Sequence, residues 1–224
     1  MLLLQFSTSQ YCRKARLALG YKKITYQVEN LTPGLHILKL KPKTGLSTVP
    51  VLLPQENGQP EIIADSTPIL KYLEIYRSEP SYIPTKPEEK TQAWLLEDWL
   101  DESIGTATRF VYYHYRLGEG KAIDPSFSAQ LVINIVRWQY NINPASVSLA
   151  ESRLENAMQV LSPWQTQPYL VGEKLSVADI AAAALLSPLA LIPHYYQTYP
   201  WLFQRIKEVH QICNEPLPPS IILE

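Results

Sequence analysis

The sequence predicts a small α/β domain followed by a domain built only of helices, and two observations support this. Strand and helix patterns alternate from residue 2 to residue 76, and strand patterns stop after the proline-rich segment 78–87. Apolar residues make up 46% of the 224 residues and charged residues 18%, a balance that allows a buried core. We therefore expect an α/β domain at residues 1–77, a linker at 78–87 and an all-α domain at 88–224.

The first domain is expected to follow the order βαβ, α and ββα. Its first apolar strand is followed by Ser9 and a run of good helix formers, and Gly20 can end that helix. Asn57-Gly58 is typical of a hairpin turn and predicts antiparallel strands on either side of it, whereas the βαβ start favours a parallel pair. The predicted strands cover residues 2–6, 24–28, 49–53 and 61–64, and the predicted helices cover residues 10–21, 34–40 and 67–76.

Five helices are predicted in the second domain. The longest runs from residue 88 to about residue 117, because its apolar residues recur every three or four positions and form a stripe. The next covers residues 127–140, with Leu131, Ile135 and Trp138 on one face. The remaining three begin near Pro144, Ser176 and Trp201.

The composition excludes several classes of partner. The net charge is −1, so no excess of positive charge is present to bind a polyanion or an anionic membrane surface. The two cysteines, Cys12 and Cys213, belong to no cluster with metal-ligand spacing, which predicts a reducing compartment and no metal site. The apolar N-terminus lacks the basic region and cleavage site of a signal peptide. We expect a cytoplasmic protein that binds neither nucleic acid nor membranes.

Val49-Pro50 stands at the start of the third predicted strand and has two interpretations. Proline suits the first residue of an edge strand in the ordinary trans form. A cis bond would instead turn the N–H and C=O of Val49 outward, where they could pair with an extended peptide as an added strand. The dipeptide alone leaves both interpretations open.

Asp65-Ser66 precedes the last helix of the first domain. Ser66 is predicted to cap that helix whatever else it does. The free N–H groups and the positive dipole end of a helix also accept a carboxylate, and Asp65 beside them can pair with an ammonium. A zwitterionic amino-acid head such as a γ-glutamyl group carries both charges, so this helix start is a candidate site for one.

Ser9 and Cys12 lie at the first strand-to-helix turn. Ser9 is either a helix N-cap or a hydroxyl donor to a bound thiolate. A free thiol has a pKa of about 8.5, and a hydroxyl donor together with a helix N-terminus would lower it. Cys12 is either a small buried helix residue or a nucleophile near the helix start.

A family resemblance follows from these features taken in order. The run LVGEKLSVAD at residues 170–179 places Ser176 and Asp179 at capping-box spacing. Together with the βαβαββα order, the Val-Pro dipeptide, the Asp-Ser helix start and the linker, it resembles the cytosolic glutathione transferase superfamily over residues 2–213. The resemblance implies the glutathione transferase fold: a thioredoxin-like domain that binds glutathione and an all-α domain that holds an electrophile.

The resemblance also implies roles for individual residues. The run SQYCR at residues 9–13 resembles the theta and delta type of active-site turn, in which a serine assists the glutathione thiolate. By that resemblance Ser9 is the catalytic residue. The implied glutathione-binding residues are Val49 and Pro50 for the cysteinyl backbone, Asp65 and Ser66 for the γ-glutamyl end, and Ser47 or Lys43 for the glycyl carboxylate.

The second substrate is expected to lie against the long helix of the all-α domain. The candidate residues for the electrophile site are Tyr11, Arg109, Tyr112, Tyr113 and Arg116. For most of these positions the alternative role is packing in the core or in a dimer.

The implied function is conjugation of reduced glutathione to small electrophiles, as in detoxification. Glutathione is a co-substrate here, no cofactor is implied, and the resemblance implies a homodimer. Two alternatives stay open. One is a glutathione-dependent thiol reductase that uses Cys12, and the other is a non-enzymatic binding module, because a fold does not determine a function.

Overall fold

The computed structural model describes residues 1–55 and 62–218, so the predicted Asn57-Gly58 turn and Glu61 lie outside the described residues. Within these ranges one mixed sheet has the strand order β2-β1-β3-β4. The β1–β2 pair is parallel, and the β1–β3 and β3–β4 pairs are antiparallel, which confirms the predicted arrangement. The strands are β1 (Leu2–Gln5), β2 (Gln27–Asn30), β3 (Val51–Leu53) and β4 (Ile63–Ala64), and the helices of this part are α1 (Gln10–Tyr21), α2 (His36–Thr44) and α3 (Ser66–Tyr76).

Two elements of the first part differ from their predicted positions. The second strand begins at Gln27 and not at residue 24, because Ile24 closes the turn after α1: it is buried, and its N–H donates to the carbonyl of Leu19 at 3.0 Å. The second helix begins after Gly34, which has a φ of 88°, and ends at Gly45, which has a φ of 74°. Left-handed backbone favours glycine and interrupts a helix at both places.

Gly20 has a different role from the predicted one. It lies inside α1, and a Cβ atom at this position would be 1.9 Å from the carbonyl oxygen of Cys213. Glycine is therefore required here so that the end of α1 can approach the C-terminal part of the chain closely.

The rest of the described chain is helical. The predicted long helix follows one path, but a π-helical segment, Trp99–Ile104, interrupts it, and such segments are frequent at functional sites. Further along the described residues, three short 3₁₀ segments and one small helix are present that the sequence analysis did not predict. The helices are α4 (Pro87–Asp98), α5 (Gly105–Leu117), α6 (Phe127–Gln139), α7 (Pro144–Val160), α8 (Val177–Leu186), α9 (Pro193–Thr198) and α10 (Pro200–Ile212).

Helix α8 is the centre of the helical part, and all of its residues are buried. The predicted capping box is confirmed, because Asp179 Oδ2 accepts hydrogen bonds from the backbone N–H and the hydroxyl of Ser176, both at 2.7 Å. The other oxygen of Asp179 accepts from the N–H of Leu170 at 2.7 Å. Since α8 packs against both α1 and α10, this buried helix fixes the position of α1.

The predicted face of α6 is confirmed, because Leu131, Ile135 and Trp138 share one side of the helix. That side is exposed, and Trp138 is 86% exposed. Ile133 is buried instead. Helix α6 carries apolar residues on more than one side, so its sequence pattern does not decide which side packs against α5. Across the described ranges, the helices are all too short or too polar to cross a bilayer.

Candidate active site

The register of the sheet brings three predicted site segments together at one end of the strands. Leu4 near the end of β1 pairs with Val51 at the start of β3, and Val51 pairs with Ala64 at the end of β4. The residues that follow β1, precede β3 and follow β4 therefore meet at the same end of the sheet. Ser9 and Asp65 are two of these residues.

The Val49–Pro50 peptide bond is cis, which is the form required by the peptide-binding interpretation. Pro50 is buried and Val49 is half-buried. The carbonyl oxygen of Pro50 accepts a hydrogen bond from the N–H of Asp65 at 3.1 Å. The turn before β3 is thus tied directly to the start of α3.

Asp65, and not Ser66, caps helix α3. Its carboxylate accepts a hydrogen bond from the N–H of Thr67 at 3.0 Å, and Ser66 is the first residue of the helix. Asp65 is exposed and has a φ of 77° and a ψ of 149°, a region that non-glycine residues rarely adopt. Strained backbone of this kind is concentrated at ligand sites, so this conformation marks Asp65 as a candidate binding residue.

Ser66 points to a group that the sequence analysis missed. Its side chain is buried, and its hydroxyl donates to Asp101 Oδ1 at 3.5 Å. The ammonium of Lys14 lies 2.5 Å from the same oxygen, forms a second ion pair with Glu97 and donates to Thr67 Oγ1 at 3.1 Å. Burial raises the pKa of Asp101, and the nearby Lys14 opposes this shift. The sequence did contain a sign of this buried network: Lys14 lies inside an otherwise apolar helix pattern.

Ser9 is the N-cap of α1, which was one of its two interpretations. Its Oγ accepts a hydrogen bond from the N–H of Cys12 at 3.4 Å, and the residue is half-buried. Accepting this bond leaves the hydroxyl proton of Ser9 available to a second acceptor. Cys12 is fully buried, and burial raises the pKa of its thiol more than the neighbouring Ser9 side chain lowers it. Cys12 is therefore kept as a protonated thiol away from solvent.

His36 organises the loop that holds the candidates for the glycyl end. Its Nδ1 accepts from the N–H of Gly34 at 3.0 Å, so Nε2 carries the proton and donates to the carbonyl of Ser47 at 3.0 Å. The ring of His36 also packs edge-on against Phe6, with 4.8 Å between centroids. The side chains of Ser47 and Lys43 are both exposed on this loop and the adjoining helix.

Tyr11 joins the start of α1 to the helical domain. Its hydroxyl donates to the carbonyl of Asp101 at 3.2 Å, and burial raises its pKa, so the phenol stays protonated. The guanidinium of Arg109 lies 5.1 Å from the Tyr11 ring centroid and 4.5 Å from that of Tyr140. Arg109 is thus held by two aromatic rings, and Tyr140 is a neighbour that the sequence analysis did not name.

The remaining candidates for the electrophile site continue along α5. Tyr112 and Tyr113 pack edge to face with 5.2 Å between centroids, and burial raises the pKa of Tyr113 to about 12. Arg116 is buried, and its Nη1 donates to the Tyr112 hydroxyl at 2.8 Å. Its Nε–H has no acceptor in the part of the chain that the structure describes. A buried charged donor without an acceptor costs about 1–3 kcal/mol or more.

The candidate site combines two groups of side chains. Among residues 1–55 and 62–218, no cluster of three His, Cys, Asp or Glu side chains is arranged to hold a metal ion. The cis bond, the strained Asp65 and the serine N-cap lie on the sheet edge, while the row of tyrosines and arginines lies on α1 and α5.

A small mixed sheet with its helices, followed by an all-helical domain, is the architecture of the glutathione transferases. A family model described as "Glutathione S-transferase, N-terminal domain" matches residues 3–81, and one described as "Glutathione S-transferase, C-terminal domain" matches residues 128–195. The chain therefore belongs to the cytosolic glutathione transferase superfamily.

Its relatives carry two kinds of name. The chain is 26% identical over 195 residues to FtsZ-localized protein A of Caulobacter vibrioides, covering 84% of this chain and 75% of that one. It is 30% identical over 115 residues to a probable glutathione S-transferase MSR-1 of Nicotiana plumbaginifolia, half the length of each chain. The fold matches a glutathione S-transferase of Methylobacillus flagellatus KT with glutathione bound, with a TM-score of 0.69, 20% identity and coverage of 98% and 96%.

Proposed function

We propose that this protein binds reduced glutathione and joins its sulfur to small electrophiles. The observation that carries the proposal is the meeting of Ser9, the cis Val49–Pro50 bond and Asp65 at one edge of the sheet. Membership of the superfamily and likeness to a transferase with glutathione bound both support it.

In this proposal glutathione lies extended along the sheet edge. The backbone of Val49 pairs with its cysteinyl backbone, as an added strand. The γ-glutamyl ammonium pairs with the exposed Asp65 carboxylate, and its carboxylate lies at the N-terminus of α3 beside Ser66. The loop that His36 ties down presents Ser47 to the glycyl end.

The sulfur then lies at the N-terminus of α1. The Ser9 hydroxyl donates to the sulfur, and the helix dipole adds to the stabilisation, so the thiol loses its proton to solvent at neutral pH. The thiolate attacks an electrophilic carbon, a C–S bond forms, and the leaving group departs with its electron pair. Ser9 acts as a hydrogen-bond donor to an anion and not as a base.

The decisive experiment is the pH profile of Ser9→Ala with glutathione and chlorodinitrobenzene. We expect the rate to fall about 10–100-fold, because one hydrogen bond to a charged group is lost. We also expect the bound thiol to ionise at a higher pH. Ser7→Ala, at an exposed serine of the same turn, is the matched control. A variant profile identical to that of the wild type would refute the role of Ser9.

A non-enzymatic binding module is the second candidate. It is favoured by the match to FtsZ-localized protein A, a name that gives a location and no activity. A glutathione-affinity column is the first test between the two candidates, and failure of the protein to be retained would favour the binding module. A homodimer, a cytoplasmic location and a detoxifying role complete the first proposal, and light scattering of the purified protein tests the dimer.

A further inference from the structure

Buried arginines without carboxylate partners surround the tyrosine row of α5. Arg13 is 6% exposed, and its Nη1 donates to the hydroxyl of Ser187 at 2.6 Å. Arg116 is 9% exposed and bonds the hydroxyl of Tyr112, which also lies within electrostatic range of Arg13. Neither forms an ion pair within the described residues. Positive charge therefore accumulates here without compensation.

The acidic groups that interact electrostatically with Arg13 and Arg116 are Glu215 and Asp124, and both have other partners. Glu215 forms its ion pair with Arg16, at 2.6 Å. Asp124 is exposed and accepts a hydrogen bond from the N–H of Ser126. Its interaction with Arg116 is electrostatic, without an ion pair. These carboxylates do not supply the missing partner.

Two arginines of α5 have N–H groups without an acceptor among the described residues. The Nε–H of Arg116 is buried and has no acceptor in the described part of the chain. Arg109 packs between the Tyr11 and Tyr140 rings but forms no hydrogen bond among the same residues, so its N–H edge is unoccupied. The two residues are seven positions apart, two helical turns on one face, which spans about 10 Å.

We propose that the electrophilic substrate carries a carboxylate on a flat ring, and that Arg109 and Arg116 bind this carboxylate. A carboxylate supplies the acceptors that the free guanidinium N–H groups lack. The tyrosine rings that flank the arginines match a planar aromatic body. This inference rests on the proposed function and specifies its substrate class.

The anion is assigned to the electrophile and not to glutathione because of position. The glutathione residues lie on the sheet edge at Val49, Pro50 and Asp65, whereas both arginines lie on α5 beyond Gly105. Tyr11 docks at Gly105, where an added Cβ would lie 2.9 Å from its hydroxyl oxygen. The arginines thus lie past Tyr11 on the helical-domain side.

The test compares a chloronitrobenzoate with the matching chloronitrobenzamide as electrophiles. In both, the thiolate forms a C–S bond and chloride leaves with the electron pair, so only the carboxylate differs. For each we measure kcat/KM, divided by the uncatalysed rate, in the wild type, Arg109→Met, Arg116→Met and Arg153→Met. Arg153 is an exposed arginine of α7 and serves as the control for loss of one charge.

We expect the wild type to favour the benzoate at least tenfold. Arg109→Met and Arg116→Met should each lose about tenfold or more with the benzoate, a clearly smaller factor with the benzamide, and keep the glutathione Kd. Arg153→Met should change neither. Equal losses with both substrates, a weakened glutathione Kd, or no preference in the wild type would overturn the proposal. Because Arg116 is buried, Arg109→Met carries the test alone if Arg116→Met fails to fold.

A chain that conjugates neither compound would contradict the proposed function and not yet the anion site. Equilibrium dialysis with unreactive nitrobenzoate then decides. Binding by the wild type that Arg109→Met abolishes would support the site, and absence of binding by the wild type would overturn it.

Discussion

The ammonium nitrogen of Lys14 lies 2.5 Å from Oδ1 of Asp101, in an ion pair that joins α1 to the π-helical segment of the helical domain. The Lys14 side chain is fully buried, and that of Asp101 is 8% exposed. Thr67 at the start of α3 contacts the same ammonium. One buried lysine thus positions the N-termini of α1 and α3, the two helix starts from which the candidate active site is built.

Lys14→Met is expected to destabilise the protein strongly. Methionine fills a similar volume but leaves the carboxylates of Glu97 and Asp101 buried without a cation, and removing one partner of a buried ion pair costs about 3–5 kcal/mol. Urea denaturation gives the free energy of unfolding. Lys39→Met is the control: its pair with Glu29 is about 40% exposed, so the loss should stay below about 1 kcal/mol. Equal effects of the two substitutions would contradict this account.

Asp65→Asn is expected to weaken glutathione binding and leave stability unchanged. Asparagine keeps the oxygen that accepts from Thr67 and has the same shape as aspartate, so the free energy of unfolding should change by no more than about 0.5 kcal/mol. Losing the charge should raise the glutathione Kd about 10–100-fold. Asp124→Asn is the matched control, because the exposed Asp124 carboxylate also accepts from the N–H two residues further on, that of Ser126. Calorimetric titration that gives the same Kd for Asp65→Asn as for the wild type would remove Asp65 from the site.

Local patterns in the sequence were sufficient for the order of the strands and of the longer helices, because capping and apolar periodicity act over a few residues. The capping box at Ser176 and Asp179 is the clearest case. The Lys14 network was not predictable in this way, since its partner Asp101 is 87 residues away in the chain. The packed side of α6 was not predictable for another reason: its apolar residues surround the helix, and only its neighbours decide which ones are buried.

The protein is expected to lose stability as pH falls because of His210. Burial lowers the pKa of His210 to about 4, and nearby Arg13 adds to the shift. Its Nδ1 donates to the carbonyls of Glu215 and Pro216, while Nε2 is buried without a partner, so protonation would place an unpaired charge inside the fold.

The sign of the effect follows from the lowered pKa. The stabilisation is complete above the unfolded pKa of about 6.5 and is lost as pH falls towards 4. The free energy of unfolding measured by urea denaturation should be lower at about pH 5 than at about pH 7. His210 should account for roughly 2 kcal/mol of that difference. His210→Gln should abolish that difference, and His194→Gln, at an exposed histidine, should keep it. A histidine resonance of residue 210 that titrates near 6.5 in the native protein would rule out the effect.

Cys12 is expected to resist alkylation in the native protein. Both Cys12 and Cys213 are fully buried, and burial raises the pKa of each thiol, so little thiolate is present or accessible. Iodoacetamide at mildly alkaline pH should leave both unmodified while glutathione conjugation continues, and should modify both in concentrated urea, as mass spectrometry can establish. Cys12→Ala should likewise keep conjugation. If native Cys12 reacts within minutes and activity disappears with it, the thiol reductase mechanism replaces the one proposed, because only a reductase needs Cys12 as its nucleophile.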